Sequence, residues 1–200
     1  MTKFLRRALV ATVAIGMLTG PSVAGAASNS PTGEDAELLA TVAEATPGAL
    51  TGAADIPVTQ TSDDEAIEAV VGNAVVEVPS DPAQGITVAA EAGQEVTIGL
   101  PTASAADDAV AVQPGIVAYD NNNGSATVPV VKTDGSVAIN TIITGPTAPT
   151  HYRYPVSVPD GADLALTDDG GAIVTNDDGE TVGTVDPAWA KDANGEAVST

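Results

Sequence analysis

From residue 73 onward, apolar side chains recur at every second position. Val76 and Val78 flank Glu77, Val96 and Ile98 flank Thr97, and Val128, Val130 and the run from Val137 to Ile143 continue the β-branched theme. Alternation with a period of two is the pattern of a strand with one buried face. Turn-forming clusters punctuate these runs at Pro79-Ser80-Asp81-Pro82, Ala92-Gly93, Asn121-Asn122-Asn123-Gly124, Asp134-Gly135, Asp168-Asp169-Gly170 and Asp177-Asp178-Gly179. Asn-Gly and Asp-Gly pairs supply the positive φ that tight hairpins need. The spacing therefore predicts a hairpin over 130–139 and a three-stranded meander over 164–185. Tyr152, Tyr154, Val156 and Val158 alternate with Arg153, Pro155 and Ser157, a strand that Pro155 assigns to a sheet edge because proline donates no ladder bond. The pattern as a whole predicts a mainly β, antiparallel domain over 73–200, a sandwich or a set of meander sheets.

Two helical patterns precede it. Ser62-Asp63-Asp64-Glu65 has the spacing of a capping box, and Ala66, Ile67, Ala69, Val70 and Val71 offer an apolar side before Gly72, which predicts a short helix over 62–72. Residues 27–61 are rich in Ala, Thr, Ser, Pro and Gly with interspersed acids, and read as a disordered arm. Within it a short helix is expected over 34–45, capped by Thr32 and stopped at Pro47-Gly48. Residues 1–26 have the three parts of an export signal: Lys3, Arg6 and Arg7, an apolar stretch from Ala8 to Leu18, and Ala24-Gly25-Ala26 as a cleavage site. A signal-peptide helix is expected there, too short in its apolar part to span a bilayer. The Arg6-Arg7 pair follows Leu5, where a twin-arginine signal carries Ser or Thr, so Sec export is the expected route to the outside or the cell wall.

Charge sharpens this picture. The whole chain of 200 residues has 27 acidic and 6 basic side chains. Cleavage near Ala27 leaves Lys132, Arg153 and Lys191, three bases against 27 acids, a net charge of −24. Such a surface repels phosphate backbones and anionic lipid, which argues against nucleic-acid binding and against membrane insertion after cleavage, and favours a cationic or cell-wall partner. There is no cysteine, so disulfides, thiol catalysis and cysteine-based zinc sites are excluded. Beyond the leader the aromatic residues are Tyr119, Tyr152, Tyr154 and Trp189, so the core must be aliphatic.

Candidate chemistry is sparse. His151 is the lone histidine and no Gly-x-Ser-x-Gly elbow exists, so neither a serine triad nor a histidine-rich metal site is expected. Paired carboxylates could support an extracellular hydrolase, but the aromatic platforms that stack on sugars are scarce. Phosphate-binding loops are absent. No catalytic and no cofactor-binding residue is assigned. Calcium is the one metal the turns could attract, through Asp120, Asn122, Asp168, Asp169, Asp177 and Asp178. The plainer account is that Asp, Asn and Gly are what β-turns are made of, and it is preferred.

Tyr154-Pro155-Val156-Ser157-Val158-Pro159-Asp160-Gly161-Ala162, the Asp-Gly hairpins after it, and Pro187-Ala188-Trp189-Ala190-Lys191-Asp192-Ala193-Asn194-Gly195 together resemble an uncharacterised group of exported proteins. Those proteins, from high-GC Gram-positive bacteria, share a P-x-W-A-K-D-A-N-G stretch after a β-meander. The resemblance covers roughly residues 115–200 and implies export and a β fold, with no activity attached. Longer members continue past this stretch, which implies a chain truncated after Thr200 or a stand-alone module. Trp189 is then either a lid on the meander, the preferred reading, or a contact for a partner. The expected function is a non-enzymatic extracellular or wall-associated binding or structural module. The alternative is the carrier or pro-region of a secreted effector.

Overall fold

The computed structural model describes residues 10–15, 40, 48–59, 65–90 and 94–200. Their regular structure is mainly strand, all paired antiparallel. The first sheet has the order β11-β12-β13-β1-β9-β8-β7-β6. Its strands are β1 (Val10–Ile15), β6 (Val110–Gln113), β7 (Ile116–Asp120), β8 (Ser125–Val131), β9 (Val137–Ile143), β11 (Asp163–Leu166), β12 (Ala172–Thr175) and β13 (Thr181–Val185). The second sheet, β10-β5-β4-β3-β2, joins β2 (Glu65–Val71), β3 (Ala74–Pro79), β4 (Ile86–Ala90), β5 (Glu95–Ile98) and β10 (Val156–Ser157). A small hairpin of β14 (Ala190–Lys191) and β15 (Ala197–Val198) follows.

The sheets face each other across the main core. Ile67, Val76, Val78, Ile86, Val88 and Ile98 from the smaller sheet meet Val117, Tyr119, Val131, Val137 and Ile139 from the larger. The expected sandwich is thus the observed one. Among the described residues Tyr119 is the largest fully buried side chain, and its hydroxyl donates to the Pro79 carbonyl of the opposite sheet. Strands β8 and β9 are buried on both faces, because Leu50, Ala53, Val112 and Trp189 cover a second apolar patch of Ile116, Ala118, Val128, Val130, Ala138 and Ile142. Pro129 lies in central β8, and the ladder to β7 passes directly from Ile116↔Val130 to Tyr119↔Thr127. The missing proline N–H accounts for that gap.

The hairpin over 130–139 and the meander over 164–185 are present. Residues 152–158 alternate half-buried and exposed as expected, and β10 is an edge strand paired with β5 alone.

The short helix over 62–72 is corrected. Residues 65–71 are strand β2, with Ile67, Ala69 and Val71 packed on the core and Glu68 and Val70 exposed. A short apolar run fits either period, and pairing with β3 over Ile67↔Val78 to Val71↔Ala74 decides it. Residues 62–64, the start of the capping box, lie outside the described residues.

The domain also begins before residue 73. In the stretch assigned to a disordered arm, residues 48–59 pack on the sandwich: Ala54 N–H donates to Val131, Gly115 N–H donates to Ile56, and Ile56 and Val58 join the core. Small apolar residues on a segment that crosses two sheets bury enough to order it. Of the helix expected over 34–45 only Ala40 is described, as helical and exposed. The export signal lies outside the described residues except for Val10–Ile15, which run as a strand.

Candidate functional site

Among the described residues two groups of acids stand out, those of the hairpin turns and those of one sheet face. The turns share one design. In Lys132–Ser136, Thr167–Gly171, Asn176–Glu180 and Asp192–Glu196 the first N–H donates to the last carbonyl, and the glycine N–H donates back to the first carbonyl. Only the glycines (Gly135, Gly170, Gly179, Gly195) have positive φ there, at 77° to 89°. That is a type I turn closed by a left-handed glycine, a three-residue loop rather than the two-residue turn in which both central residues have positive φ.

The polar side chains at these turns cap the backbone. Asp134 Oδ1 accepts from the N–H and hydroxyl of Ser136 at 3.0 and 2.7 Å, and these bonds hold its carboxyl below the usual carboxylate range. Asp169 accepts from the Thr167 hydroxyl and Gly171 N–H, the first of which lowers it most. Asp120 accepts from Asn122 N–H at 2.8 Å, and Asn122 Nδ2 donates to the Ala105 carbonyl at 3.0 Å. Asn176 Oδ1 takes the N–H groups of Asp178 and Glu180. The Asp177 carboxylate sits over the neighbouring turn, where a Cβ on Gly161 would fall 2.5 Å from its Oδ2.

These residues are not gathered into one site. Asp168 and Asp169 turn at one end of β12 and Asp177 and Asp178 at the other, about 13 Å apart at the usual rise of ~3.3 Å per residue. Asp120 and Asn122 belong to the β7–β8 turn. Among the described residues no three His, Cys, Asp or Glu side chains cluster as metal ligands would.

The second setting is the outer face of the five-stranded sheet. Register places Glu68 opposite Glu77, Glu77 opposite Thr87, Thr87 opposite Thr97 and Thr97 opposite Ser157, a polar row that crosses all five strands. The hydroxyls of Thr87 and Thr97 lie 3.4 Å apart, and Thr97 also donates to Glu95 at 3.4 Å. Glu77 lies between Glu68 and Thr87 in this row. Partial burial pushes its carboxyl up, and Glu65, Glu68 and Glu95 add to the rise. Sequence reasoning missed this row because Glu68 was assigned to a helix and strand order was unspecified. Glu77, outward between inward Val76 and Val78, was the visible signal.

The remaining candidates stay apart. His151 is exposed, its Nδ1 sharing a 3.0 Å hydrogen bond with the Thr150 hydroxyl. Tyr154 is bonded to Thr141 on β9, and burial pushes its hydroxyl up to about 12. Trp189 is half-buried on the second apolar patch, with the Lys191 ammonium 5.2 Å from its ring centroid, so it serves as a lid on the larger sheet. Burial lowers Lys132, whose ammonium donates to the Thr51 carbonyl and ties down the arm. No helix among the described residues is long and apolar enough to cross a membrane. Comparison with protein-family models, with curated proteins and with solved structures finds no match to this chain.

Proposed function

We propose that this chain is an exported, non-enzymatic binding or structural module whose five-stranded sheet presents a carboxylate and hydroxyl face to a cationic extracellular or wall-associated partner. One observation carries the reading: Glu68 and Glu77 stand directly opposite each other, with Glu65 and Glu95 close enough to raise Glu77 further. Like charges paired across a ladder destabilise a sheet. A basic partner relieves that repulsion on binding, and the flat row of Thr87, Thr97 and Ser157 adds hydroxyls that hydrogen-bond an extended ligand. The export signal and the resemblance to exported Gram-positive proteins support the extracellular setting.

An oligolysine peptide titrated onto the protein at low and high salt tests this. The expected result is salt-sensitive binding that weakens at least about tenfold, or ~1.4 kcal/mol, in the double variant Glu68→Gln/Glu77→Gln. Asp168→Asn/Asp178→Asn, on turns of the larger sheet, should bind like the parent. Equal weakening by both pairs would mean that net charge alone attracts the peptide and would sink the sheet-face reading.

A further inference from the structure

The larger sheet is continuous only because β1 lies between β13 and β9. β1 pairs with β9 at six positions, from Val10↔Ile142 to Ile15↔Val137, and with β13 at Ile15↔Val185 alone. It nevertheless belongs to the stretch that reads as an export signal. Removing that signal empties a slot inside the sheet, and ladder alternation decides which groups are left there. The bonds that close the Lys132–Ser136 turn give the even-numbered residues of β9 to β8, while Val131, opposite Val137, bonds outward to Gly115. Val137, Ile139 and Thr141 therefore point their backbone N–H and C=O at β1. All three residues are buried, and unpaired backbone groups in such a place are costly.

The walls of this slot are uncharged. β9 reads Val-Ala-Ile-Asn-Thr-Ile-Ile and β13 reads Thr-Val-Gly-Thr-Val, in a chain that carries 27 acids. Both faces of β9 are covered: Val137 and Ile139 lie in the main core, Ala138 and Ile142 in the second apolar patch. A charged side chain on a strand seated there would lose its water without gaining a partner. β1 itself, Val-Ala-Thr-Val-Ala-Ile, is uncharged at all six positions. We infer that the slot between β9 and β13 is a strand-acceptor site: the leader fills it in the precursor, and in the exported protein it takes an uncharged extended segment of a partner, six residues long and antiparallel to β9. The inference rests on the export reading, because only leader removal opens the slot.

The geometry suits strand addition. Among the described residues β13 joins β1 only at Ile15, so the slot is narrow beside Val137 and open along Ile139 to Ile142. The meander is held by its own packing, with Val174 and Val182 against Val96 of the opposite sheet, which keeps β13 from sliding across to pair with β9. An added strand draws affinity from main-chain hydrogen bonds and specificity from its alternate side chains. The carboxylate row lies on the other sheet, so a cationic ligand bound there leaves the slot empty.

The test uses the full chain, with a specific protease site inserted between Ala26 and Ala27 and cut after folding. The absence of native cysteine lets Ala14→Cys/Ala138→Cys report the seated leader, since directly opposed antiparallel residues lie within the Cα separation a disulfide needs. That pair should cross-link in the uncut chain, and failure to do so overturns the inference. The cut chain without added cysteines is freed of its leader in mild urea, returned to buffer and titrated with a fluorescent Val10–Ile15 peptide on an uncharged polyethylene glycol tag. The expected result is saturable, salt-insensitive uptake. A peptide N-methylated at Val13, whose N–H faces Ile139, should bind at least about tenfold more weakly than one N-methylated at Thr12. Hydrogen exchange should split β9: the amides of Val137, Ile139 and Thr141 speed up when the leader is gone and slow again with peptide, while those of Ala138 and Ile142 stay slow throughout. No uptake, or equal uptake of the two methylated peptides, overturns the inference. Slow Val137, Ile139 and Thr141 amides in the peptide-free chain overturn it as well, because the chain then closes its own slot. An oligolysine peptide should leave these amides unchanged, and its failure to bind would sink the carboxylate-face reading alone. The mass of the protein recovered from the medium reports separately whether the leader is removed at all.

Discussion

Asp134 and Glu77 are carboxylates whose surroundings act in opposite directions. Asp134 is lowered by the hydrogen bonds from Ser136, so its contribution to stability is complete above the unfolded-state value and disappears as pH falls through the folded one. Asp134→Ala should therefore cost ~1 kcal/mol at neutral pH in a urea titration and progressively less in acid. Glu77 is raised by burial and by three neighbouring glutamates, so the folded chain takes up its proton first and gains stability as pH drops through that raised value. Glu77→Gln should raise the urea midpoint at neutral pH, by a few tenths of a kcal/mol after solvent screening, and the gain should vanish in acid. A midpoint unchanged at neutral pH would show that the glutamates do not repel across the ladder. Tyr119→Phe removes a single buried hydroxyl and leaves the Pro79 carbonyl without that donor. It should cost about 1–3 kcal/mol without altering the fold, as read by urea midpoint and far-UV dichroism.

The turns and strands show what local sequence can and cannot specify. Each Asp-Gly or Asn-Gly pair between 134 and 195 is a turn, because left-handed backbone there admits glycine with little competition. The pair does not fix the loop length, since the preceding Lys132, Thr167, Asn176 or Asp192 decides where the closing bonds fall. The glycines differ in their neighbours. A Cβ on Gly135 would lie 2.7 Å from the Val71 carbonyl oxygen, whereas one on Gly179 would meet nothing within 4 Å. Gly179→Ala should thus cost about 1–2 kcal/mol of backbone strain alone. Gly135→Ala should cost distinctly more, because β2 must also move, and equal urea midpoints for the two variants would refute this. The stretch 65–71 misleads for the converse reason. Its capping spacing is local, while the β3 residues that it pairs with follow it across a turn, and tertiary pairing outweighs a cap of ~1 kcal/mol.

At the scale of the molecule, a chain poor in aromatics builds its interior by burying β8 and β9 on both faces instead of enlarging one core. That architecture was legible as alternation and turns but not as layers, because the covering elements are the arm at 48–59 and Trp189, whose short apolar stretches carry no period. The acidic row was equally hidden. It exists only once β2, β3, β4, β5 and β10 stand in order, and short similar strands leave their order unspecified. The turn carboxylates were legible one by one, yet β12 holds two of the pairs apart. Both facts converge on Trp189, the sole tryptophan. Its ring rests on the patch formed by Ile116, Ala118, Val128, Val130, Ala138 and Ile142, so its emission reports the integrity of the larger sheet. In urea the emission should start blue-shifted and move to the wet wavelength in the same step as the far-UV signal, since this patch and the main core share strands β7, β8 and β9. Calcium should leave that midpoint unmoved, because separated turn acids cannot together supply the six to eight oxygens the ion requires. A calcium-dependent midpoint would mean that acids from different turns come together in solution. An emission change well before the far-UV step would mean that the tryptophan lid and the sandwich beneath it unfold as separate units.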